Sequence, residues 1–455
     1  MNLINDEWIP VRLKNSTIRT IAPWQITEEE IIELASPRPD FNGAMIQFLI
    51  GLLQTTCAPE YPKDWRQRLT NPPTSEELKQ AFTPIQHAFN LDGEKPRFMQ
   101  DSSLAKEEGN CNIDALLIEV PGENTLKENK DHFIKRGDVN QFCPACTAMA
   151  LFTLQTNAPS GGAGHRTGLR GGGPLTTIIL GENLWGTVWL NIMEKDVFLA
   201  KSRDCNKIKD ADSFPWLDTT RIGKETTPED VHPNQNFWAM PRRVWLISQG
   251  LTGVCSLCGK ESNHLYRKYV TKNYGINYNG AWLHPLSPYY IDKNGSPSTP
   301  IHPQPGGIGY RDWLGLVQND PDKNRKPAMI IEHFIQHRRK DLRLWAFGYD
   351  MDNMKARCWY EGIMPLVSVD DELRGEFEIR VTSLILTAQM IARETKTQIK
   401  KAWFDPKHKT KGDLSFVESR FWQETEAEFY HTLYALKDVL TNKTDVIPVL
   451  EVWHN

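Results

Sequence analysis

Apolar positions along the chain switch between short alternating runs and helical stripes. Trp8–Leu13 reads as a short strand, and Phe41, Ala44, Met45, Phe48, Leu49, Leu52 and Leu53 predict a helix from about Asp40 that Pro59 ends. Two capping boxes, Thr27-x-x-Glu30 and Thr74-x-x-Glu77, predict helix starts, the second leading into Leu78, Phe82, Ile85 and Phe89 on one face. Residues 102–141 are polar without a period and read as a long loop. A helix is expected from Pro144 to about Thr156, then a glycine-rich run, then strands at Leu175–Leu180 and Trp185–Ile192. Residues 201–236 are charged and irregular, and 284–306 form a loop rich in Pro and Gly. Met329–His337 reads as helix, and Leu342–Tyr349 and Ala356–Tyr360 as strands flanking a polar turn.

From about Val369 the texture is helical only. Phe377, Val381, Leu384, Ile385, Ala388, Ile391 and Ala392 form one amphipathic stripe, and a later helix carries Phe421, Trp422, Phe429, Tyr430, Leu433, Leu436 and Leu440. The expected fold class is α+β: a large mixed domain over residues 1–368, then a helical bundle over 369–455.

Composition narrows the function classes. With 40% hydrophobic and 24% charged residues, the 455-residue chain is an ordinary globular protein. Its formal net charge of −4 lacks the basic excess of a free-standing DNA binder, so any nucleic-acid contact is local or shared with basic partner subunits. The 15 Trp serve a core or stack on bases, and composition does not choose between the two. The longest apolar stretch, Ala44–Leu53, is interrupted by Gln47 and Gly51 and falls short of the roughly 20 residues of a membrane span. The N-terminus has no secretory pattern, so a cytoplasmic protein with reduced thiols and no membrane partner is expected.

The eight Cys therefore point to metal or burial before disulfides. Cys143-Pro-Ala-Cys146 and Cys255-Ser-Leu-Cys258, the second followed by Gly259, supply four thiolates for a tetrahedral zinc ion with bonds of about 2.3 Å. One C-x-x-C alone could be a redox pair; two in a reducing compartment favour structural zinc. The pairs lie far apart in sequence, so the ion would staple distant parts of one domain, and with no open position it would not be catalytic. Cys57, Cys111, Cys205 and Cys358 are scattered and read as buried or inert.

Ala158–Pro174 is the most unusual run, with glycines at 161, 162, 164, 168, 171, 172 and 173. Missing side chains let a backbone approach another molecule closely, and Arg166 and Arg170 are candidate phosphate contacts. The run lacks the Gly-Lys-Ser/Thr of a Walker A loop and the preceding strand of a dinucleotide fingerprint. Taken by composition alone, it serves equally as a flexible surface loop.

Several stretches together resemble one family: Met1–Arg12, Arg97–Gln100, Cys143-x-x-Cys146-Thr147-Ala148, Gly168–Gly172, Cys255-x-x-Cys258-Gly259-x-Glu261-Ser262-Asn263, and Trp282-x-His284-Pro285-x-Ser287-Pro288. The chain resembles the CasA family, the large subunit of the type I-E CRISPR surveillance complex Cascade, with matches in the same order from residue 1 to about 360. The resemblance implies a non-catalytic subunit at the end of Cascade that holds the 5′ handle of the guide RNA. Such a subunit reads the short PAM in double-stranded DNA largely from the minor groove, helps to split the strands for R-loop formation, and recruits a separate helicase–nuclease. Base pairing reads the target, while protein reads only the PAM.

Carried onto this chain, the family's glycine loop falls on Ser160, Gly161, Gly162, Ala163 and Gly164, where Ala163 replaces the familiar Gly. The strand-separating wedge falls on Asp352, Asn353 and Met354, with Asn353 standing in for the familiar Gln. The lysine that reaches the PAM falls on Lys272, with Lys268 as fallback. The loop before Cys143 resembles the family's first mobile loop, where Phe133 stacks on a handle base or packs on its own domain. About 85 residues after position 368 hold roughly three helices, one fewer than the family's closing bundle.

Charge runs are usually solvated faces. Arg338, Arg339 and Lys340 form one, and Lys400, Lys401, Lys407, Lys409 and Lys411 another, the second favoured as a DNA backbone contact. Two other readings stand beside this one. A scaffold subunit would dock partners without reading DNA. A metal-dependent nuclease would use Asp350 and Asp352, with His333 and His337 as a further candidate pair, but no motif set supplies nucleophile, base and stabiliser together.

Overall fold

The computed structural model describes residues 1–120, 137, 139–162, 164–199, 209–292, 298–337, 340–352, 355–404 and 414–454. Contacts divide them into two compact units. The first comprises Met1–Pro174, Gly181–Pro285 and Met351–Trp359; the second comprises Leu175–Leu180, Leu286–Asp350 and Tyr360–Asn455.

The first unit opens with strands β1 (Ile9–Leu13), β2 (Ile18–Ile21) and β3 (Ile31–Leu34), in the order β2-β1-β3. The helix expected after Thr27 does not form. Its carboxylates are taken instead by cations of the neighbouring strands, Lys14 to Glu29 and Arg19 to Glu28 and Glu30, and the chain turns directly into β3. The second capping box does form: the Thr74 amide donates to Glu77 Oε2 at 2.7 Å and the Glu77 amide to Thr74 Oγ1 at 3.2 Å, opening the helix Ser75–Phe82.

Helix α1 (Pro39–Thr56) supplies the hub of the core. Phe48 meets Trp8, Phe89, Phe98, Phe152 and Trp238 edge to face at 5.5–6.0 Å, a geometry that aromatic quadrupoles favour. Nine of the 15 Trp are buried, which assigns most of them to cores rather than to bases.

The region expected as a loop over 102–141 carries the short strand β4 (Cys111–Asn112) and brief 3-10 turns in its described part. Helix α2 (Pro144–Asn157) follows. Strand β5 (Thr176–Leu180) forms as expected, but the strand predicted at Trp185–Ile192 is instead helix α3 (Leu184–Leu190). Asn183 caps it by accepting from the Gly186 amide at 2.7 Å, and Trp185 and Trp189 stack at 5.1 Å, one turn apart. Their ring nitrogens donate to the carbonyls of Arg68 and Trp65. The helix is buried nearly all round, so its sequence carries no period to distinguish it from a buried strand.

The longest sheet element is a hairpin that the apolar pattern does not announce. Strands β6 (Arg243–Val254) and β7 (Glu261–Lys272) pair antiparallel from Arg243↔Lys272 to Val254↔Glu261, with three register shifts, and β7 lies between β4 and β6.

In the second unit, β8 (Leu342–Asp352) lies between β9 (Lys355–Leu366) and β5, and Met351–Trp359, which includes the end of β8 and the start of β9, groups with the first unit. Helices α4 (Asp371–Trp403), α5 (Ser415–Thr441) and α6 (Ile447–His454) follow. The predicted α4 stripe is buried except Ile391, which is 42% exposed. Tyr310 stacks on Phe429 at 4.4 Å, and Trp313 and Trp453 close on the same ring. Residues 286–350 therefore pack with the C-terminal helices as one unit, whereas the helical texture itself begins at Asp371.

Candidate metal centre and nucleic-acid interface

The four predicted cysteines converge. Cys143 is the N-cap of α2, its sulfur 3.5 Å from the Cys146 amide, and Pro144 starts the helix where a missing amide proton costs nothing. The Cys146 hydrogen bond and the helix start favour a thiolate there, but hydrogen bonding with Cys255 and Cys258, together with burial, pushes Cys143 up. Cys255 and Cys258 sit in the turn joining β6 to β7. That turn is closed by Gly259 N–H to Cys255 O at 3.0 Å and Cys255 N–H to Lys260 O at 2.9 Å, with Gly259 in the left-handed region at φ 70°.

Paired hydrogen bonds between Phe142 and Tyr266, and one from Ser256 N–H to Gln141 O at 2.9 Å, lock the two cysteine segments together. All four sulfurs lie within 4.8 Å of one another, and Cys143 and Cys258 are 3.8 Å apart. A tetrahedron with bonds of about 2.3 Å has edges of about 3.8 Å, whereas a disulfide needs about 2.05 Å. The four are free thiols that could hold a metal ion, and the donor set fits zinc with no position left over. Hydrogen bonding with Cys143 pulls the Cys258 thiol down to about 6 and pushes Cys146 up, as expected of thiols too close to ionise independently.

At the opposite end of α2 lies the glycine run. Gly162 and Gly164 take left-handed φ values of 80° and 79°, and Gly161 and Gly162 are exposed, as is Ser160. Gly168 N–H donates to Ala158 O at 3.0 Å and Gly173 N–H to Asn157 O at 3.1 Å, folding the run back onto the helix end. A Cβ on Gly168 would sit 2.6 Å from the Thr156 carbonyl oxygen, so that fold requires glycine.

The run is braced by a residue that sequence reasoning missed. The Arg242 guanidinium bonds His165 Nδ1 at 2.8 Å and donates to the Pro159 carbonyl, while its backbone exchanges two 2.9 Å bonds with the Gln155 side chain on α2. Burial and the neighbouring Arg242 charge push His165 below its ordinary value, so it is a neutral acceptor. Burial lowers Arg242 itself to about 10, which leaves it charged at neutral pH.

Arg170 is a correction. It is 3% exposed and donates to Gln47 at 2.5 Å, so it holds the loop base to α1 and does not face a phosphate. Arg166 is half-buried. Ala163 lies outside the described residues.

Lys268 and Lys272 are both exposed on β7 and, being four apart on a strand, share a face; Val270 between them is covered by Leu104 and Trp245. Lys272 pairs with Glu107 at 2.8 Å, and the next residues reach the glycine run, Tyr274 N–H donating to Gly164 O at 2.7 Å. Below them, Arg243 grips the buried Asp101 at 2.6 Å. Burial pushes Asp101 up, but the Arg243 and Ser103 hydrogen bonds more than offset it, holding this carboxyl below the usual range.

Asp352 is exposed at the end of β8, 3.7 Å from Arg357, whereas Asp350 is 2% exposed. Among the described residues, the one cluster of three or more side chains that could hold a metal ion is the four cysteines. Asn353, Met354, Phe133, Arg338, Arg339, Lys407, Lys409 and Lys411 lie outside the described residues. Lys400 and Lys401 are exposed in the last turn of α4, and Lys340 is exposed before β8. No helix among the described residues is long and apolar enough to cross a membrane.

A family model described as CRISPR-associated protein Cse1 matches residues 2–455. The fold is similar to that of Thermobifida fusca Cse1, with a TM-score of 0.74 at 15% identity over 100% of this chain and 89% of that one. It is also similar to Thermus thermophilus CasA (Cse1), with a TM-score of 0.68 at 17% identity over 100% and 90%. A chain of a CRISPR RNA-guided surveillance complex matches with a TM-score of 0.70 at 16% identity over 95% and 89%.

Proposed function

The chain belongs to the CRISPR-associated Cse1 family, and we propose that it is the non-catalytic large subunit of an RNA-guided Cascade complex that reads the PAM in double-stranded DNA. In this role it promotes strand separation and R-loop formation, and it recruits a separate helicase–nuclease. Its partners are the other Cascade subunits, the 5′ handle of the guide RNA and the target duplex. Zinc is its structural metal, held by Cys143, Cys146, Cys255 and Cys258.

The observation that carries the reading is the glycine run: an exposed backbone at Gly161 and Gly162, braced from behind by Arg242 and bordered by Lys272 on β7. A side-chain-free backbone in a fixed shape suits the floor of a minor groove, whose degenerate pattern admits tolerant reading. Asp352, at the end of β8, and the following Asn353 and Met354 act as the wedge, offsetting lost base stacking with new contacts. Lys400, Lys401, Lys407, Lys409 and Lys411 contact DNA phosphates, and Phe133 contacts the guide handle.

The test is duplex binding by the reconstituted complex, with and without this subunit, across a randomised PAM library. Selectivity that appears only with the subunit, and falls with Asn353→Ala or Lys272→Ala, supports the reading. Equal selectivity without it leaves a scaffold subunit.

A further inference from the structure

Resting on that reading, we infer that Tyr274 is a further DNA-contacting residue, whose ring packs against the sugar and base edge of a PAM nucleotide in the minor groove beside the glycine run. Three independent features converge on this residue. The residue is 52% exposed, although Tyr is large and partly apolar. Its φ of 62° lies in the left-handed region, uncommon for a bulky side chain. Its backbone is held there on both sides.

The Tyr274 amide donates to Gly164 O at 2.7 Å. A Cβ on Gly164 would approach Asn273 Cβ to 2.9 Å and the Tyr274 ring to 3.0 Å, so the ring lies directly on the glycine run. The following residue, Gly275, passes so close to Pro241 that a Cβ there would sit 1.9 Å from the Pro241 carbonyl oxygen. The turn is therefore fixed, and the backbone it fixes is one that glycine would adopt with less strain.

A strained backbone that presents an exposed aromatic marks a surface built for a ligand rather than for the fold. The chemistry beside it selects the ligand: a glycine backbone without side chains, and Lys272 two residues earlier in the chain. A flat amphipathic ring fits against deoxyribose and base edges, and a lysine fits phosphate or groove acceptors.

The experiment compares Tyr274→Gly and Tyr274→Phe in the full chain, assembled into the complete complex and titrated with a fluorescent PAM duplex. Glycine relieves the left-handed strain and keeps the amide bond to Gly164, so it removes the ring and its packing on Gly164 while the backbone brace stays in place. The expected result is that Tyr274→Gly assembles and melts like the parent yet binds the PAM duplex about tenfold more weakly, the effect of losing about 1.4 kcal/mol of aromatic packing. Tyr274→Phe should bind within about twofold of the parent, because the ring face is kept.

Parental binding by Tyr274→Gly overturns the inference. So does failure of that variant to assemble, which would make the ring structural. A complex lacking the subunit is the control that separates the two claims. If omission leaves PAM selectivity intact, the DNA-reading role itself fails; if omission abolishes selectivity and Tyr274→Gly is silent, only Tyr274 is wrong.

Discussion

Helix α2 and the β6–β7 hairpin carry two loops at opposite ends, and the loops are built on opposite plans. At one end the cysteine turn is closed: three of its four sulfur-bearing residues are buried, and every ligand a tetrahedral ion needs is supplied by the chain. At the other end the glycine run is open, with exposed backbone at Gly161 and Gly162 held by the Arg242 guanidinium and by backbone bonds to its flanks. The 14 residues of α2 separate the two ends by about 21 Å. One end completes its own chemistry and the other leaves room for a partner's. With a metal ion on the four sulfurs, the two struts that present the loop would be joined at the far end, which would help the open loop keep a fixed shape.

The largest effect should come from breaking the staple. Cys255→Ser, or chelation at neutral pH, should lower the melting temperature by about 10 °C or more, since about 1 kcal/mol moves a large domain by about 2–4 °C and structural zinc contributes several. Zinc content per chain, measured on the purified protein, should fall from about one to zero. A variant that keeps stoichiometric zinc and its melting temperature would falsify the staple.

The next effect concerns the open end alone. Arg242→Gln removes charge-assisted bonds to His165 and Pro159 and should cost about 2 kcal/mol. Zinc should remain bound while PAM-duplex affinity drops about tenfold, which would show that the two ends fail separately. A pH titration probes the same brace. His165 is lowered in the folded chain from its ordinary 6.5, so the released loop takes up a proton more readily than the braced one. The brace is thus at full strength above about pH 6.5 and weakens as pH falls below it. Duplex binding should weaken from pH 7.5 to about 5.5, and His165→Asn, which keeps an acceptor that does not titrate, should flatten that added dependence. An identical pH profile in both proteins would remove His165 from the brace.

The two ends also differ in how far the sequence discloses them. The cysteine end is legible because ligand spacing is dictated by the ion and survives any fold around it. The glycine end is legible as a run but not as a site. Arg242 lies 77 residues from His165, and no local pattern links them. Arg170 carries the right charge for a phosphate but is turned inward to Gln47, a choice that burial makes and sequence does not show. The hairpin joining the ends escapes the apolar pattern because its register shifts break the two-residue period near Ser248, Leu251 and Gly253. By contrast, α4 buries one stripe over many turns, which is read directly from the sequence, while α1, buried almost all round, is legible through its 18-residue length, too long for an ordinary strand.

The smallest effect addresses the lysines at the open end. Lys272 is tied to Glu107 by a half-exposed pair, which is worth roughly 0.2–1 kcal/mol and must open before the amine can reach a groove. Glu107→Gln should therefore leave stability almost unchanged and raise PAM-duplex affinity by about two- to fivefold at low salt, with the gain shrinking as salt rises. Lys272→Ala should cancel the gain if Lys272 is the contacting residue. If Glu107→Gln has no effect in the parent and Lys268→Ala alone weakens binding, the contact belongs to Lys268, whose stem lies over Gly109 on the same strand face. The pair of variants thus decides which lysine serves the open end, a question that strand alternation leaves undecided because both lysines project from one face.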